Sequence, residues 1–256
     1  MVIDKLCYYS KLRYVNACEK FIYALLTLFF CVFSKSMVIA VLVLIVNGVL
    51  TVGKGGIPFS RYRRLMVIPL AFLFLSTFAI IINISKVPLD AYAIPVGSYY
   101  ITSSRESFFF GLQLILTALA SVSCLYFLSL NTPMTDILTV LRKFHCPEIL
   151  IELMMLIYRF IFVLMNLASA MTTAQDCRLG NKDFRTSCKS FGAMASTLFV
   201  RAMKKSNILY DAMESRCYNG TIHVLMENYP PKRKEILFLI LYELLLLIIT
   251  IWRLTI

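Results

Sequence analysis

Five apolar stretches, separated by polar segments, follow one another along the chain. Phe21–Phe33 and Met37–Val52 are short and only three residues apart, which predicts a tight pair of helices. Leu65–Ile84 and Phe108–Leu130 each reach the roughly 20 residues that a helix needs to cross the hydrocarbon core of a bilayer. The last stretch is Ile236–Ile251. This pattern predicts an all-α integral membrane protein with about five transmembrane helices.

The composition supports a membrane protein. Residues of the AVILMFWYC set make up 59% of the chain and charged residues 16%, whereas a water-soluble domain carries about 25% charged residues. If the N-terminus is cytoplasmic, 22 of the 26 Lys and Arg residues fall on the cytoplasmic side. This bias is typical of cytoplasmic loops. We therefore predict a multi-pass protein of the cytoplasmic (inner) cell membrane that contacts the lipid bilayer and has no nucleic-acid partner.

A long segment interrupted by polar residues separates the fourth apolar stretch from the fifth, and it predicts three helices. Pro133 suits the first position of a short helix, Pro147 restarts the chain at a second, and a third covers roughly Ser187 to Arg216. The basic residues place this segment in the cytoplasm. The predicted organisation is N-terminal transmembrane helices at 1–130, a cytoplasmic helical module at 131–235 and a C-terminal transmembrane helix at 236–256.

Within this module, Leu153–Met171 is apolar enough to be a sixth span. However, Glu152, Arg159 and Asn166 recur every seven residues and share one helical face. A charge at the bilayer centre costs about 2.5–3.5 kcal/mol on insertion scales, and a sixth span would also move eleven basic residues outside. We therefore predict a long amphipathic cytoplasmic helix with a polar stripe of Glu152, Arg159 and Asn166, and keep the sixth span as the alternative.

The second and third predicted helices end in a repeated pattern. In each copy an Ala is followed by an acid two residues on, a small residue and an Arg, and the copies are 38 residues apart. Arginine suits docking into a carboxylate-lined groove because its planar fork binds bidentately. Alternatively, the cation only complements the helix dipole, for roughly 0.3–1 kcal/mol. The first copy contains Ala174, Asp176, Cys177, Arg178, Leu179 and Gly180, and the second contains Ala212, Glu214, Ser215, Arg216 and Cys217.

Other candidate chemistry is sparse. The segment around Lys54 does not fit the phosphate-loop pattern, so we expect no ATP site in this chain. His145 precedes Cys146, but neighbouring side chains rarely chelate one ion, so we predict no metal site and no cofactor. Glu243 lies within the last apolar stretch, where an ionisable group is a candidate functional residue. Asn47 is expected to form a hydrogen bond between helices.

Several motifs, in order, resemble a known family. They are Leu130–Leu138 (LNTPMTDIL), Leu156–Leu164 (LIYRFIFVL) and the two arginine motifs. Together they resemble the transmembrane T component of energy-coupling factor transporters, and they are most similar to CbiQ, the T component of cobalt uptake systems. The resemblance covers most of the chain, from the first span through Gly220, and is strongest from residue 105 to residue 225.

This resemblance implies a non-catalytic coupling subunit with long cytoplasmic coupling helices. The motif arginines, matched here by Arg178 and Arg216, dock onto two ABC-type ATPase subunits. ATP-driven motion then passes to a substrate-binding membrane subunit of CbiM type, with a small CbiN-type subunit as a further candidate partner. Leu179 and Cys217 replace the glycine that follows each arginine in the family, and Leu179 makes the first motif the looser match.

Three alternatives stay open at this point. The first is a T component of the same class that serves a nickel or vitamin importer. The second is a self-sufficient membrane carrier, which the scarcity of charge and of inverted repeats within the spans disfavours. The third is a membrane-embedded enzyme, but the spans contain no paired acids and no Ser/His or Cys/His constellation.

Overall fold

The computed structural model of the chain describes residues 2–81, 83–85, 92–96, 99–103, 105–220 and 229–255. A 3-10 turn at Lys11–Tyr14 follows the first helix, and a π-helical turn at Leu50–Lys54 extends the third. The α-helices are α1 (Val2–Tyr9), α2 (Ala17–Ser34), α3 (Met37–Val49), α4 (Phe59–Ile81), α5 (Arg105–Asn131), α6 (Met134–Lys143), α7 (Glu148–Asp176), α8 (Phe184–Glu214) and α9 (Arg233–Thr255).

A small antiparallel sheet lies between α4 and α5. Its strands are β1 (Asn83–Ser85), β2 (Tyr92–Val96) and β3 (Tyr99–Ser103), in the spatial order β1-β3-β2. Ile101 in the central strand pairs with Ile84 on one side and Ile94 on the other. Apart from this small sheet, the described chain is built of helices. The predicted class of all-α membrane protein is therefore confirmed.

Among the described residues, four helices are long and apolar enough to cross a membrane: Ala17–Ser34, Met37–Lys54, Ser107–Asn131 and Arg233–Trp252. They correspond to four of the five predicted spans. The remaining predicted span, Leu65–Ile84, coincides with α4 as far as Ile81 but is not one of these four helices. Its predicted end is wrong, because Asn83 and Ile84 belong to strand β1. The chain is therefore a multi-pass membrane protein.

The described chain divides into two compact units, one formed by 1–140 with 227–256 and the other by 141–226. The first unit contains the four candidate spans, and the second contains α7 and α8. The bounds of these two units differ from those of the three predicted segments, 1–130, 131–235 and 236–256. The predicted segments separate membrane-spanning from cytoplasmic parts of the chain. That functional division and the cytoplasmic location of α7 stay predictions.

Asn47 connects three helices of the first unit. Its side chain is fully buried, and its amide oxygen accepts a hydrogen bond from Tyr23 Oη on α2 at 2.8 Å. Its Nδ2 donates to Ser123 Oγ on α5 at 3.1 Å. The predicted hydrogen bond between helices is confirmed, because α2, α3 and α5 all meet at this amide.

Lys20 explains why α2 begins earlier than the apolar pattern predicts. Its side chain is only 4% exposed, and Nζ donates to the carbonyl oxygens of Leu12 at 3.1 Å and Asn131 at 3.0 Å. Asn16 caps the helix by accepting a hydrogen bond from the Cys18 N–H. These polar contacts fix α2 from Ala17, four residues before the predicted apolar run, and they tie the N-terminal segment to the end of α5.

Glu243 is a buried acid within α9. It is 8% exposed, and neither of its carboxylate oxygens has a hydrogen-bond partner among the described residues. Removing an ionised carboxylate from water without a partner is costly. Burying the Glu243 carboxylate therefore costs free energy that no hydrogen bond from the described residues offsets.

Candidate functional site: the ends of the α7–α8 hairpin

The two long helices of the second unit form an antiparallel hairpin. Gln175 Nε2 near the end of α7 donates to the carbonyl oxygen of Ser190 near the start of α8, at 2.9 Å. At the opposite end of the hairpin, Tyr218 Oη donates to Glu152 Oε2 at 2.6 Å. Contacts thus join the end of each helix to the beginning of the other. α8 starts three residues before the predicted Ser187, because the Asp183 carbonyl accepts the Ser187 N–H at 2.8 Å.

The end of α7 is a Schellman motif, the helix end that two backbone hydrogen bonds close from beyond the last turn. The Gly180 N–H donates to the Gln175 carbonyl at 2.8 Å, and the Leu179 N–H donates to the Asp176 carbonyl at 3.1 Å. Leu179 has a φ of +56°, in the left-handed region. Arg178 is therefore the last residue before the chain reverses, and it is exposed.

The end of α8 repeats this geometry bond for bond. The Tyr218 N–H donates to the Met213 carbonyl at 3.1 Å, and the Cys217 N–H donates to the Glu214 carbonyl at 2.9 Å. Cys217 has a φ of +59°. Arg216 thus occupies the same position as Arg178, and it too is exposed. The repeat found in the sequence is also a repeat of backbone conformation.

This geometry gives a physical meaning to the glycine place of the resembled family. A positive φ favours glycine because a Cβ crowds the backbone there. Leu179 and Cys217 adopt that conformation without being glycine. By sequence, Leu179 makes the first motif the looser match to the family. The backbone of this motif nevertheless has the same conformation as that of the second motif.

Both guanidinium groups lack partners within the described part of the chain. Neither Arg178 nor Arg216 makes a hydrogen bond or an ion pair with any residue described there. Asp176 accepts a hydrogen bond from Asn181 Nδ2, which closes the turn after α7. The remaining motif residues Ala174, Cys177, Ala212, Glu214 and Ser215 are exposed, and Gly180 is half-buried.

Dipole compensation alone does not account for the repeat. A cation in the last turn of a helix is worth roughly 0.3–1 kcal/mol, and an acid there costs a similar amount. Each motif places an acid two residues before its arginine, Asp176 before Arg178 and Glu214 before Arg216. The two charges of each motif oppose one another in their effect on the helix dipole, so the arginines contribute little net stability by this route.

The residues of the predicted polar stripe on α7 lie in different environments. Glu152 is 5% exposed and accepts the hydrogen bond from Tyr218. Arg159 and Asn166 are exposed. The spacing of seven places all three on α7 as predicted, but only Glu152 is part of a buried contact that the structure describes.

Much of the hairpin surface is apolar and uncovered. None of the described residues of α8 is buried, and Phe199 near its middle is 67% exposed. Two grooves of about 550 and 300 Å³ are each lined by residues of both helices, and Phe160 on α7 and Leu209 on α8 line both. Exposed apolar surface of this extent on a helical pair is typical of a protein or membrane interaction site.

No group of three or more His, Cys, Asp or Glu residues that could hold a metal ion occurs in the part of the chain that the structure describes. His145 is exposed and follows the end of α6 with a φ of +58°. It occupies the left-handed position of a third Schellman motif, since the Cys146 N–H donates to the Leu141 carbonyl at 3.2 Å. His145 is thus an exposed residue at a helix end.

Comparison with known proteins places the chain in a family. The sequence model of the cobalt transport protein family CbiQ matches residues 10–227, which include the whole α7–α8 hairpin. The cobalt transport protein CbiQ of Salmonella typhimurium is 27% identical over 87% of this chain and 99% of its own length. An uncharacterized protein of Methanocaldococcus jannaschii is 35% identical over 97% of this chain and 92% of its own length.

A further relative, from Methanocorpusculum labreanum, is named as a fused cobalt transport protein CbiMQ. It is 31% identical over 86% of this chain, which corresponds to 37% of that longer protein. The chain therefore belongs to the CbiQ family of cobalt transport proteins, and its role is in transport.

Proposed function

We propose that this member of the CbiQ family is the transmembrane coupling subunit, or T component, of an ATP-driven importer for cobalt. In this proposal Arg178 and Arg216 dock onto two ABC-type ATPase subunits, which carry out all ATP hydrolysis. The α7–α8 hairpin passes their motion to a separate membrane subunit that binds the substrate. The chain itself catalyses no reaction.

The observation that carries the proposal is the twofold repeat of one helix end. Two exposed arginines occupy the same position of two Schellman motifs, and neither has a partner among the described residues. Two equivalent arginines suit a pair of similar motor subunits, each offering one groove. A hydrogen bond to a charged group is worth about 1.5–3 kcal/mol, so two such docking points could anchor a partner but would not supply the whole affinity.

Three further features support the assignment of substrate and partners. The description of the family and the name of the Salmonella typhimurium relative support cobalt as the substrate. The fused CbiMQ relative supports a substrate-binding partner of CbiM type, because a fusion keeps two chains together. The bias of basic residues supports the cytoplasmic membrane, with the N-terminus and the hairpin on the cytoplasmic side, where ATP is available.

Cobalt accumulation in cells tests this function. The chain is co-expressed with its neighbouring ATPase and membrane subunits, either as the wild type or as the Arg178→Glu, Arg216→Glu double variant. Arg201→Glu, at another exposed arginine of α8, is the matched control. We expect the double variant to lose energy-dependent uptake and ATPase binding at normal expression, while the control keeps both.

Two results would contradict the proposal in different ways. If the double variant assembled with the ATPases and transported normally, the docking role would be wrong. If the assembled wild-type complex accumulated nickel or a vitamin and no cobalt, the coupling role would stand and the substrate would be wrong.

A further inference from the structure

We propose that Tyr218 and Glu152 are positioning residues that fasten the second arginine motif to the opposite helix of the hairpin. Gln175 and Ser190 fasten the first motif in the corresponding way. With both ends fastened, α7 and α8 move as one body and do not slide along each other during the ATPase cycle. This inference rests on the proposed docking of Arg178 and Arg216.

Tyr218 is well placed to hold Arg216. It lies two residues after the arginine, and its backbone N–H already closes the Schellman motif by donating to Met213. Its phenol then reaches Glu152 Oε2 at 2.6 Å, a length typical of an O–H group that donates to a carboxylate. Glu152 is only 5% exposed, so the acceptor is shielded from water. The hydrogen bond to Glu152 also raises the pKa of Tyr218.

The first motif is fastened by two hydrogen bonds that involve Ser190 on α8. Ser190 Oγ on α8 donates to the Gly180 carbonyl at 2.8 Å, and Gln175 Nε2 donates to the Ser190 carbonyl at 2.9 Å. A Cβ on Gly180 would lie 3.0 Å from both the Gln175 carbonyl oxygen and Ser190 Oγ. Gly180 and Tyr218 hold the same position in the two motifs. Gly180 lies where α8 comes very close to the end of α7. Tyr218 lies where a long side chain is needed to reach Glu152 on α7.

Between these two fastened ends the helices pack loosely. The grooves of about 550 and 300 Å³ are lined by side chains of both helices, including Phe160 and Leu209. A slide by one residue would move one helix by about 1.5 Å along its axis, and a slide by one turn by about 5.4 Å. A 2.6 Å hydrogen bond does not survive the larger movement, and the contacts of Ser190 oppose it at the other end. The contacts therefore permit the hairpin to tilt as a whole and resist sliding.

The distance between two spin labels tests the inference in the assembled complex. One label is attached to a cysteine introduced at Phe199 in the middle of α8, and the other to a cysteine introduced at Ile149 in the first turn of α7; these positions are 67% and 68% exposed. The exposed native cysteines Cys177, Cys188 and Cys217 are replaced by serine. Distances are measured by double electron–electron resonance in the nucleotide-free complex and in the complex trapped with ATP and vanadate.

We expect one narrow distance distribution that is the same in both states. Tyr218→Phe should broaden it and lower the amount of cobalt accumulated per ATP hydrolysed, while ATPase binding persists. Glu152→Gln keeps an oxygen that accepts the phenol hydrogen, so it should retain most of the wild-type behaviour. Tyr210→Phe, at an exposed tyrosine of the same helix, should change nothing.

Two results would overturn the inference. One is a shift of about 5 Å, one helical turn, between the two nucleotide states of the wild type. The other is a Tyr218→Phe variant whose distance distribution and coupling ratio equal those of the wild type. Co-purification of the ATPases in the same samples separates these failures from failure of the proposed function, in which the wild-type chain would not retain the ATPases.

Discussion

Leu179 and Cys217 adopt the same left-handed backbone conformation, with φ of +56° and +59°, each one residue after an exposed arginine. Side chains other than glycine are disfavoured there by about 1–2 kcal/mol. The chain nevertheless keeps this conformation at both helix ends, because two backbone hydrogen bonds close each motif. The two copies of the repeat thus share the direction in which the chain leaves each helix.

Replacing Leu179 by glycine should stabilise the protein. The substitution removes the crowded Cβ, and its gain exceeds the entropy that glycine adds to the unfolded chain, so we expect the free energy of unfolding to rise by about 0.5–1 kcal/mol. Thermal unfolding in detergent measures this change. Leu179→Ala keeps the Cβ and should give no such gain. A Leu179→Gly variant less stable than the wild type would show that the backbone strain is not real.

Asn47 should be the polar residue of the first unit whose replacement lowers the free energy of unfolding most. Asn47→Ala leaves buried Tyr23 Oη without its acceptor and Ser123 without its donor, so we expect a loss of about 1–3 kcal/mol in the free energy of unfolding. The control is Gln113→Ala, which removes a hydrogen bond to the Lys35 carbonyl at an exposed site. Equal losses for the two variants would contradict the central place of Asn47.

Glu243 should lower the stability of the isolated chain. Both carboxylate oxygens are buried without a partner among the described residues, so Glu243→Leu should raise the free energy of unfolding by about 1–3 kcal/mol. Glu243→Gln, which removes only the charge, should give part of that gain. A destabilised Glu243→Leu variant would mean that the carboxylate has a stabilising contact. Transport by the same variant shows whether the buried acid is retained for function.

The bond between Tyr218 and Glu152 makes stability depend on pH in the alkaline range. It raises the pKa of Tyr218 above that of an unfolded tyrosine, about 10. Its contribution is therefore complete below about pH 10 and is lost as pH rises through the folded-state pKa. The difference in melting temperature between the wild type and Tyr218→Phe should stay constant from about pH 7 to pH 9 and shrink above pH 10. A difference that persists unchanged would contradict this assignment.

The sequence alone predicts the helices where local patterns are strong. Pro147 and the apolar run after it predict α7, which the structure has at Glu148–Asp176, and Asn47 inside an apolar run predicts a hydrogen bond between helices. The sequence does not predict that α2 begins at Ala17, because the charged Lys20 ends the apolar pattern from which the helix was predicted. Lys20 is buried only because the carbonyl oxygens of Leu12 and Asn131 meet its ammonium group.

Part of the candidate site can also be predicted from the sequence, and part cannot. The repeat of acid, small residue and arginine is local, so the sequence contains it. The contact between Tyr218 and Glu152 joins residues 66 positions apart, and no local signal marks it. Helical periodicity places Glu152 on one face with Arg159 and Asn166, but burial depends on the opposite helix. Spacing therefore predicts the face and leaves the environment of each residue undetermined.

The reactivity of two native thiols tests most directly whether the arginine motifs dock onto ATPase subunits. Cys177 and Cys217 are exposed and each adjoins a motif arginine. A cysteine introduced at exposed Phe199, in the middle of α8, is the reference. Maleimide alkylation of each site is measured by mass spectrometry in membranes with and without the ATPase subunits, for the wild type and for Arg178→Glu, Arg216→Glu.

If the arginine motifs dock onto the ATPases, the ATPases should slow alkylation of Cys177 and Cys217 by about tenfold or more, the factor that corresponds to about 1.4 kcal/mol of protection. Alkylation at position 199 should be unchanged, and the double variant should lose the protection. If both native thiols reacted equally fast in an assembled complex and in the free chain, the arginine motifs would not be the sites that dock onto the ATPases.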